Sequence, residues 1–216
     1  MDNKRQWYDS VLSKLAVAYP NAKPELEFAN AFELLIATIL SAQCTDKRVN
    51  QCTPALFRDH PDAKSIAGMT QDQLIPYIKS CGFYNTKSKN IIICCKEIVE
   101  KFGGNVPCTR EELQSLAGVG RKTASVVLAN AFNIPAIAVD THVFRVSNRL
   151  GLVNAKTPEA AEQQLMEKIP IEQWSDAHHY ILYHGRRVCS SQRPKCAECT
   201  LNSLCKYYKE KNNAVR

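Results

Sequence analysis

The 216-residue sequence is 45% hydrophobic, which is typical of a globular protein with a sizeable core, and its formal net charge of +7 favours a polyanionic partner. The polar N-terminus has no apolar signal region, and no uninterrupted apolar run is long enough to cross a membrane. Ten cysteines without a secretion signal then indicate an intracellular protein with free or metal-bound thiols, and argue against a disulfide scaffold.

Helical patterns follow one another along the first half of the chain. Apolar residues at helical spacing predict helices over Trp7–Tyr19, Phe32–Leu40, Lys47–Arg58 and Thr86–Phe102, with a shorter one around Leu74 and Ile78. The stretch Phe32–Leu40 is almost wholly apolar, so this helix is expected to be buried on most sides. Capping boxes, in which two residues satisfy each other's backbone N–H groups, are predicted at Thr70–Gln73 and Thr109–Glu112.

The second half of the chain continues the helical pattern. Helices are predicted over His142–Leu150, from Pro158 and over Glu172–Val188, and a short extended link at Ala136–Val139 precedes the first of them. Three histidines of the last of these helices are expected at the helix surface or the core edge rather than as ligands, namely His178, His179 and His184. No alternating strand pattern of useful length occurs, so the sequence predicts an all-α protein.

A glycine turn separates two helical patterns within Leu113–Ala131. Gly118 and Gly120 permit the positive φ angles and close backbone approach that a tight hairpin needs. The second helix is expected to begin at about Arg121 and to bury an apolar stripe that includes Val127. Its first N–H groups have no partner inside the helix, and with those of the turn they form a binding site for a phosphate.

Lys122 lies in the first turn of that second helix. The positive end of the helix dipole and the neighbouring Arg121 both disfavour a charged lysine at this position. One reason to keep a lysine there is to have a neutral amine, which is the form that attacks carbon. The alternative is an exposed lysine that contacts phosphate, and the local sequence leaves both interpretations open.

Four cysteines follow the last long helix with the spacing Cys-x6-Cys-x2-Cys-x5-Cys, at Cys189, Cys196, Cys199 and Cys205. Structural zinc sites more often pair two Cys-x2-Cys knuckles, whereas this wider spacing suits the corners of a 4Fe–4S cluster. Tetrathiolate zinc is the main alternative, and disulfides are the third. The remaining cysteines show no ligand spacing and are expected to be small core or surface residues, namely Cys44, Cys52, Cys81, Cys94, Cys95 and Cys108.

Positive charge is concentrated around this cysteine loop, residues 189–205. From His184 to Arg216 there are eight Lys or Arg and two Asp or Glu, which gives this segment a net charge of +6. Arg193 and Lys195 lie between the first two cysteines, where they are placed to meet phosphates. The alternative is a merely solvated loop.

Three features together resemble the endonuclease III family of DNA glycosylases: the segment Leu116-Ala-Gly-Val-Gly-Arg-Lys-Thr-Ala124, the segment Val139-Asp-Thr-His142, and the cysteine spacing. The resemblance runs along nearly the whole chain, although many members have proline where this chain has Ala117. It implies two α domains with a DNA groove between them. One would be a six-helix barrel with the hairpin over residues 24–134, and the other a discontinuous cluster domain from residues 1–23 and 135–216.

The resemblance also implies roles for individual residues. Lys122 would be the nucleophile, and Asp140 would stabilise positive charge developing at the sugar and help to keep Lys122 neutral, besides capping the next helix. Gln43 would fill the gap left by an extruded base, with an ordinary cap or loop residue as its alternative. Phe83 lies where many relatives carry an aliphatic wedge, with a core position as its alternative. Further DNA contacts are expected from Gly118, Val119, Gly120, Arg121, His142, Arg193 and Lys195.

The implied activity is that of a bifunctional DNA glycosylase and AP lyase on double-stranded DNA containing oxidised pyrimidines or abasic sites. The lysine would form a Schiff base and nick the strand by β-elimination, and the four loop cysteines would hold a 4Fe–4S cluster. Such a protein is expected to be a cytoplasmic, nucleoid-associated monomer without membrane contact. Two alternatives are a related adenine glycosylase, which normally lacks the lysine, and a non-catalytic iron–sulfur protein that binds DNA or senses redox state.

Overall fold

The computed structural model describes residues 3–213, and within them it contains twelve α-helices and no strand, which confirms the all-α prediction. The helices are α1 (Asn3–Ala18), α2 (Ala31–Ser41), α3 (Asp46–Asp59), α4 (Ala63–Ala67), α5 (Gln71–Ile78), α6 (Tyr84–Phe102), α7 (Arg110–Gln114), α8 (Arg121–Ala131), α9 (Thr141–Leu150), α10 (Pro158–Lys168), α11 (Trp174–Arg187) and α12 (Lys206–Asn213). No helix in this range is long and apolar enough to span a membrane.

The chain divides into two compact units. The first, here called the hairpin unit, is the continuous segment Pro24–Ile134. The second, here called the cysteine-loop unit, combines Met1–Lys23 with Pro135–Arg216. Both chain crossings between the units occur at a proline, a residue that cannot donate a backbone hydrogen bond and that ends regular helices.

The centre of the hairpin unit is α2, which packs against α3, α6 and α8. Its residues Leu34–Ala37 and Leu40 are fully buried, as the apolar sequence predicted. Burying each Leu or Ile side chain contributes about 1.5–3 kcal/mol relative to exposure, so α2 contributes strongly to the stability of this unit. Asn30 begins the helix by accepting a hydrogen bond from Glu33 N at 2.9 Å.

The core of the cysteine-loop unit forms where α11 packs against α1 and α9. From α1, the buried residues Val11, Leu15 and Tyr19 enter the same core as Ile181 of α11. This packing explains how the first helix buries its apolar face against segments more than a hundred residues later. The first helix begins earlier than predicted, at Asn3, and Ala18 is exposed.

Gly185 allows α11 to approach α9 closely. A Cβ atom at this position would lie 2.9 Å from His142 Cβ and 3.1 Å from Val146 Cγ2, which is closer than packed side chains tolerate. The side chains of Val143 and Val146 on the same face of α9 are fully buried. The first turn of α9 is therefore fixed by helix packing rather than by a loop.

Several predicted boundaries and burials differ from the structure. The helix predicted from Thr86 begins at Tyr84, and the last long helix begins at Trp174, after a turn of 3-10 helix. The short helices α4 and α12 carried no sequence prediction. The three histidines of α11 are buried rather than on its surface, since each exposes less than a tenth of its area.

Candidate active site

The hairpin turn is built on a short helix and one glycine. At the start of α7, Thr109 Oγ1 accepts from Glu112 N at 3.3 Å, as the predicted capping box requires. Gly118 has φ +78°, and a Cβ atom there would lie 3.0 Å from Asn90 Cβ, so only glycine fits both the conformation and the space. Ala117 N donates to Glu97 Oε2 at 2.8 Å, which anchors the turn to α6.

The second glycine of the turn has a different role from the one predicted. Gly120 has extended backbone angles, φ −90° and ψ 178°, and is the N-cap of α8. It has no side chain to accept hydrogen bonds from the first N–H groups of the helix, and its hydrogen faces open space. The beginning of α8 therefore presents backbone donors and the positive end of the helix dipole, the features that bind a phosphate.

Lys122 is exposed in the first turn of α8, beside the exposed Arg121. The helix begins at Arg121, as predicted, and buries Ala124, Val127 and Leu128 on its opposite side. Because this buried stripe fixes the rotation of α8, the first-turn lysine is directed away from the core. The structure therefore makes Lys122 available to a ligand at the open end of the helix.

Asp140 begins α9 as its N-cap. Its Oδ1 atom accepts hydrogen bonds from His142 N at 2.8 Å and Val143 N at 2.7 Å, which satisfies two donors that the helix itself cannot. The side chain is half-buried. Capping occupies one carboxylate oxygen, so the charge is fixed at the start of α9 by backbone groups.

Arg145 was not identified from the sequence, and it holds α9 against α11. Its guanidinium donates to Gly185 O at 3.0 Å and to Cys189 O at 3.0 and 3.1 Å. It also donates to His142 Nδ1 at 3.2 Å, which orients that half-buried imidazole. An arginine on an amphipathic helix carries no sequence signal for such contacts, because they depend on the position of a segment about 40 residues away.

Gln43 and Phe83 lie in two adjacent turns of the hairpin unit. Both have left-handed backbone conformations, with φ +53° and +59°, which are costly for residues other than glycine. A Cβ atom on Gly82 would be 3.6 Å from Gln43 O, so the two turns are in contact. Phe83 is 65% exposed, so the alternative that placed it in the core is wrong.

The cysteine loop folds back on the end of α11. The four cysteines of the loop line one pocket together with His184 and Lys195. Burial raises the pKa of the Cys199 and Cys205 thiols, and the charges of the other loop cysteines raise both further. Within residues 3–213, no three His, Cys, Asp or Glu side chains converge closely enough to hold a single metal ion.

The donor set and its surroundings fit a cationic cofactor that is larger than one ion. Sulfurs that oppose each other's ionisation need positive charge among them, which the irons of a cluster provide. His184 is 2% exposed, and its Nε2 lies 3.5 Å from Cys199 Sγ while its Nδ1 lies 3.0 Å from the Tyr19 hydroxyl. Burial lowers the pKa of His184 to about 4, so its imidazole is neutral.

Arg149 anchors the beginning of the cysteine loop. It donates to Ser190 O and Ser191 O at 2.7 Å each, and its Nη1 lies 3.6 Å from Cys189 Sγ. The Arg193 and Lys195 side chains are exposed on this loop, and Lys195 N donates to Val188 O at 3.0 Å. The backbone is thus held while the basic side chains remain accessible to a polyanion.

The residues proposed from the sequence lie in three groups. Gln43 and Phe83 share one pair of turns, and the segment from Gly118 to Lys122 forms the hairpin, both in the hairpin unit. Asp140 belongs to the cysteine-loop unit, together with the four cysteines. Like Arg145, Tyr19 and Arg149 carry no sequence signal for their roles, because their contacts join distant segments.

Known proteins resemble this chain along most of its length. A family model described as HhH-GPD superfamily base excision DNA repair protein matches residues 36–171. Endonuclease III of Synechocystis sp. is 48% identical over 206 residues, which cover 95% of this chain and 94% of that protein. Endonuclease III of Escherichia coli K12 is 44% identical over 204 residues, which cover 93% of this chain and 95% of that protein.

Solved structures show the same similarity in three dimensions. A trapped endonuclease III–DNA covalent intermediate has a TM-score of 0.92 and 43% identity, covering 96% of this chain and 98% of that chain. A thermostable thymine-DNA glycosylase has a TM-score of 0.86 and 22% identity, covering 97% of this chain and 100% of that chain. At that identity the second match shows only a common fold.

Proposed function

The chain belongs to the endonuclease III family within the HhH-GPD superfamily of base excision DNA repair proteins, and we propose that it removes oxidised pyrimidines from duplex DNA with Lys122 as nucleophile. It is a base excision repair DNA glycosylase with AP lyase activity. The observation that supports Lys122 as nucleophile is its exposed position in the first turn of α8, whose N-cap residue is a glycine without a capping side chain. The same helix end would then both bind the DNA backbone and present the amine.

Base removal begins with rotation of the damaged nucleotide out of the stack. The Lys122 amine then attacks C1′ of the deoxyribose, the glycosidic bond breaks, and the base leaves with a proton. The covalent product is a Schiff base between Lys122 and the opened sugar. Its positive nitrogen acidifies the C2′ proton, so that loss of this proton breaks the 3′ C–O bond by β-elimination.

Asp140 would stabilise the positive charge that develops on the sugar as the base departs. Its carboxylate is held by two backbone N–H groups at the start of α9, so no reorganisation is needed when charge appears. Loss of one preorganised hydrogen-bond donor from an oxyanion hole costs about 2.7–4 kcal/mol, and an effect of similar size is expected for this carboxylate. Asp140 is therefore the electrostatic partner in the proposal, while Lys122 makes the bond.

Gln43 and Phe83 would hold the duplex open while chemistry proceeds. The amide of Gln43 can donate and accept hydrogen bonds, as the orphaned base opposite the gap requires. The exposed ring of Phe83 offers an apolar face that can wedge between bases. Their left-handed turns project both side chains from adjacent sites, which supports a shared role in base extrusion.

Cys189, Cys196, Cys199 and Cys205 would hold a 4Fe–4S cluster, which when bound cross-links the loop and can exchange one electron. A thiolate ligand cannot donate a hydrogen bond, so the Nε2 atom of neutral His184 would donate to Cys199 and its Nδ1 would accept from Tyr19. Arg149 would donate to Cys189. These contacts would fix the direction of the ligands.

A panel of duplexes with one defined lesion each tests the substrate class. Duplexes carrying one oxidised pyrimidine should lose that base and then be nicked, and an abasic duplex should be nicked directly. An undamaged duplex and one carrying an oxidised purine opposite cytosine serve as matched controls. Release of purines in preference to oxidised pyrimidines would overturn the substrate class while leaving the glycosylase family intact.

A further inference from the structure

Under the Gln43 and Phe83 turns lies a group of side chains that the base-removal mechanism does not use. We call it the thiol–lysine cluster, and it consists of Cys44, Cys52, Cys81 and Lys87. Cys81 is fully buried and comes directly before Gly82 and the Phe83 turn, and Cys52 lies on α3 with 9% of its surface exposed. The cluster thus belongs entirely to the hairpin unit.

Two of these thiols are in contact. Cys52 Sγ and Cys81 Sγ are 3.5 Å apart, although 29 residues separate them in sequence. A disulfide has an S–S distance of about 2.05 Å, so closure of this pair needs an approach of about 1.5 Å. A shift of that size is within reach of a turn residue, which is less constrained than a residue inside a helix.

The two sulfurs are chemically different. The hydrogen bond between them, in which either sulfur can be the donor, lowers the pKa of Cys52 and raises that of Cys81. Burial raises the pKa of both thiols, that of Cys81 to about 12. Cys52 also exposes 9% of its surface whereas Cys81 is fully buried, so a peroxide reaches the Cys52 sulfur first.

Lys87 supplies a positive charge beside these sulfurs. Its side chain is 6% exposed, and Nζ donates to Leu40 O at 2.8 Å at the end of α2. Burial lowers the pKa of Lys87, while the thiolate charges of Cys44, Cys81 and Cys52 raise it, and the ammonium in turn lowers the pKa of Cys52. Burial favours the neutral form of the lysine and of the thiols, so a Cys52 thiolate that does form is stabilised by the Lys87 charge.

We propose that Cys52 and Cys81 form an oxidisable dithiol that a hydroperoxide converts to a disulfide. The Cys52 thiolate attacks the peroxide oxygen, the O–O bond breaks, and Cys52 becomes a sulfenic acid while one water or alcohol is released. The Cys81 sulfur then attacks the Cys52 sulfur, and the hydroxyl leaves with the Cys81 proton as a second water. Together the two thiols lose two electrons and two protons, which the peroxide accepts.

The new bond would act on the turn that carries Phe83. Closing the bridge moves Cys81 towards α3, and Gly82 and the left-handed Phe83 follow directly in the chain. The adjacent Gln43 turn is displaced as well, because Gly82 packs against its backbone. Oxidation therefore redirects the two side chains that hold the duplex open, a consequence that rests on the function proposed above.

Peptide mapping of the full-length, cofactor-containing protein tests the chemistry. After limited treatment with hydrogen peroxide and alkylation of remaining thiols, a Cys52–Cys81 linked peptide should appear, lighter by two hydrogens. Cys94 is a matched internal control, since it is fully buried and the nearby Glu97 charge adds to the burial that raises its pKa to about 12. Dimedone should label Cys52 in the Cys81→Ser variant, whereas Cys81 should stay unlabelled in Cys52→Ser. Absence of the link, or labelling of Cys94 to the same extent, overturns the proposal.

Enzyme assays test the effect on the turns. The oxidised protein should release a damaged base about tenfold more slowly, since small displacements of positioning groups cost up to about a hundredfold. A thiol reductant should restore the rate, and Cys52→Ser should be insensitive to peroxide. Formation of the Cys52–Cys81 disulfide without a change in the rate of base release would contradict the proposed control of the Gln43 and Phe83 turns. The mapping result does not depend on any DNA activity, so failure of the proposed function would be seen separately.

Discussion

Two helices of this protein begin in opposite ways. α8 begins at Gly120, which has no side chain to cap the helix, and its first N–H groups are open to an external anion. α9 begins at Asp140, whose carboxylate already accepts hydrogen bonds from two of those groups. The open helix end is suited to binding a DNA phosphate, and the closed end is suited to holding a fixed negative charge. In the function proposed here, the difference between Gly and Asp at the cap position separates DNA binding from electrostatic catalysis.

Among substitutions at the two cap positions, the largest effect is expected from Asp140→Asn, which keeps the cap and removes the charge. Base release should slow about 10²–10³-fold, because a preorganised group that stabilises developing charge is lost. The melting temperature should change little, since Asn and Asp are equally good N-caps. Single-turnover base release and thermal unfolding measure the two effects. Asp140→Ala is the control, since it also removes the cap and should cost about 1 kcal/mol of stability.

If Asp140→Asn released the base at the wild-type rate, the carboxylate would be only a structural cap. The same two measurements on Asp140→Ala would then show a loss of stability alone. The proposed catalytic role of the α9 helix end would then be wrong.

Closing the open helix end should weaken DNA binding. Gly120→Asp fits without strain, because the backbone there is extended and a Cβ atom would meet nothing within 4 Å. The added cap should stabilise the fold by a few tenths of a kcal/mol. Its charge should reduce duplex affinity by about tenfold or more, because a carboxylate and a phosphate repel each other at close range. Gly120→Asn provides the same cap without the charge. Equal duplex affinities of the two variants would show that no DNA phosphate binds at the start of α8.

A smaller effect, on stability, is expected at the first glycine of the turn. Gly118→Ala places a Cβ atom at φ +78° and 3.0 Å from Asn90 Cβ, which should cost about 1–3 kcal/mol. Gly68→Ala is the matched control, because a Cβ atom there meets nothing within 4 Å and φ is −84°. Urea unfolding of both variants measures the difference. Equal stability of the two would show that the turn tolerates a side chain.

The smallest effect is expected on the cysteine loop. Lys195→Ala should make the slope of log affinity against log salt concentration shallower by about 0.9, which is the contribution of one phosphate contact. The weakening should be the same for every DNA sequence. Lys156→Ala removes an exposed lysine from the same unit and should leave the slope unchanged. A Lys195→Ala slope equal to that of the wild type would exclude this residue as a phosphate contact.

Local sequence patterns, namely apolar runs and capping residues, account for much of the fold. The apolar run of α2 predicted a buried helix, and the Thr and Asp residues before helices predicted α3, α7, α9 and α10, since caps act within four residues. The hairpin was recognisable because two glycines interrupt helical patterns. Gly120 shows the limit of this reasoning, because glycine suggested a positive φ where the structure needs only an uncapped helix end.

Features that depend on distant segments could not be predicted from local patterns. Lys87 is buried in an amphipathic helix because a carbonyl 47 residues earlier accepts its hydrogen bond. Arg145 and His184 likewise acquire their roles from partners 40 or more residues away. The left-handed turn at Phe83 lies against the Gln43 turn, and aromatic residues carry no signal for that conformation.

Borohydride trapping of the covalent intermediate tests the role of Lys122 most directly. Protein, a duplex with one oxidised pyrimidine and borohydride should yield a stable protein–DNA adduct, because the reductant converts the Schiff base to an amine. Lys122→Gln should form no adduct and release no base, while duplex affinity stays near that of the wild type because the N–H groups of the hairpin remain. Mass spectrometry of the wild-type adduct should locate the sugar on Lys122. An adduct formed by Lys122→Gln, or base release without trapping, would contradict the assignment and leave Lys122 as a phosphate contact.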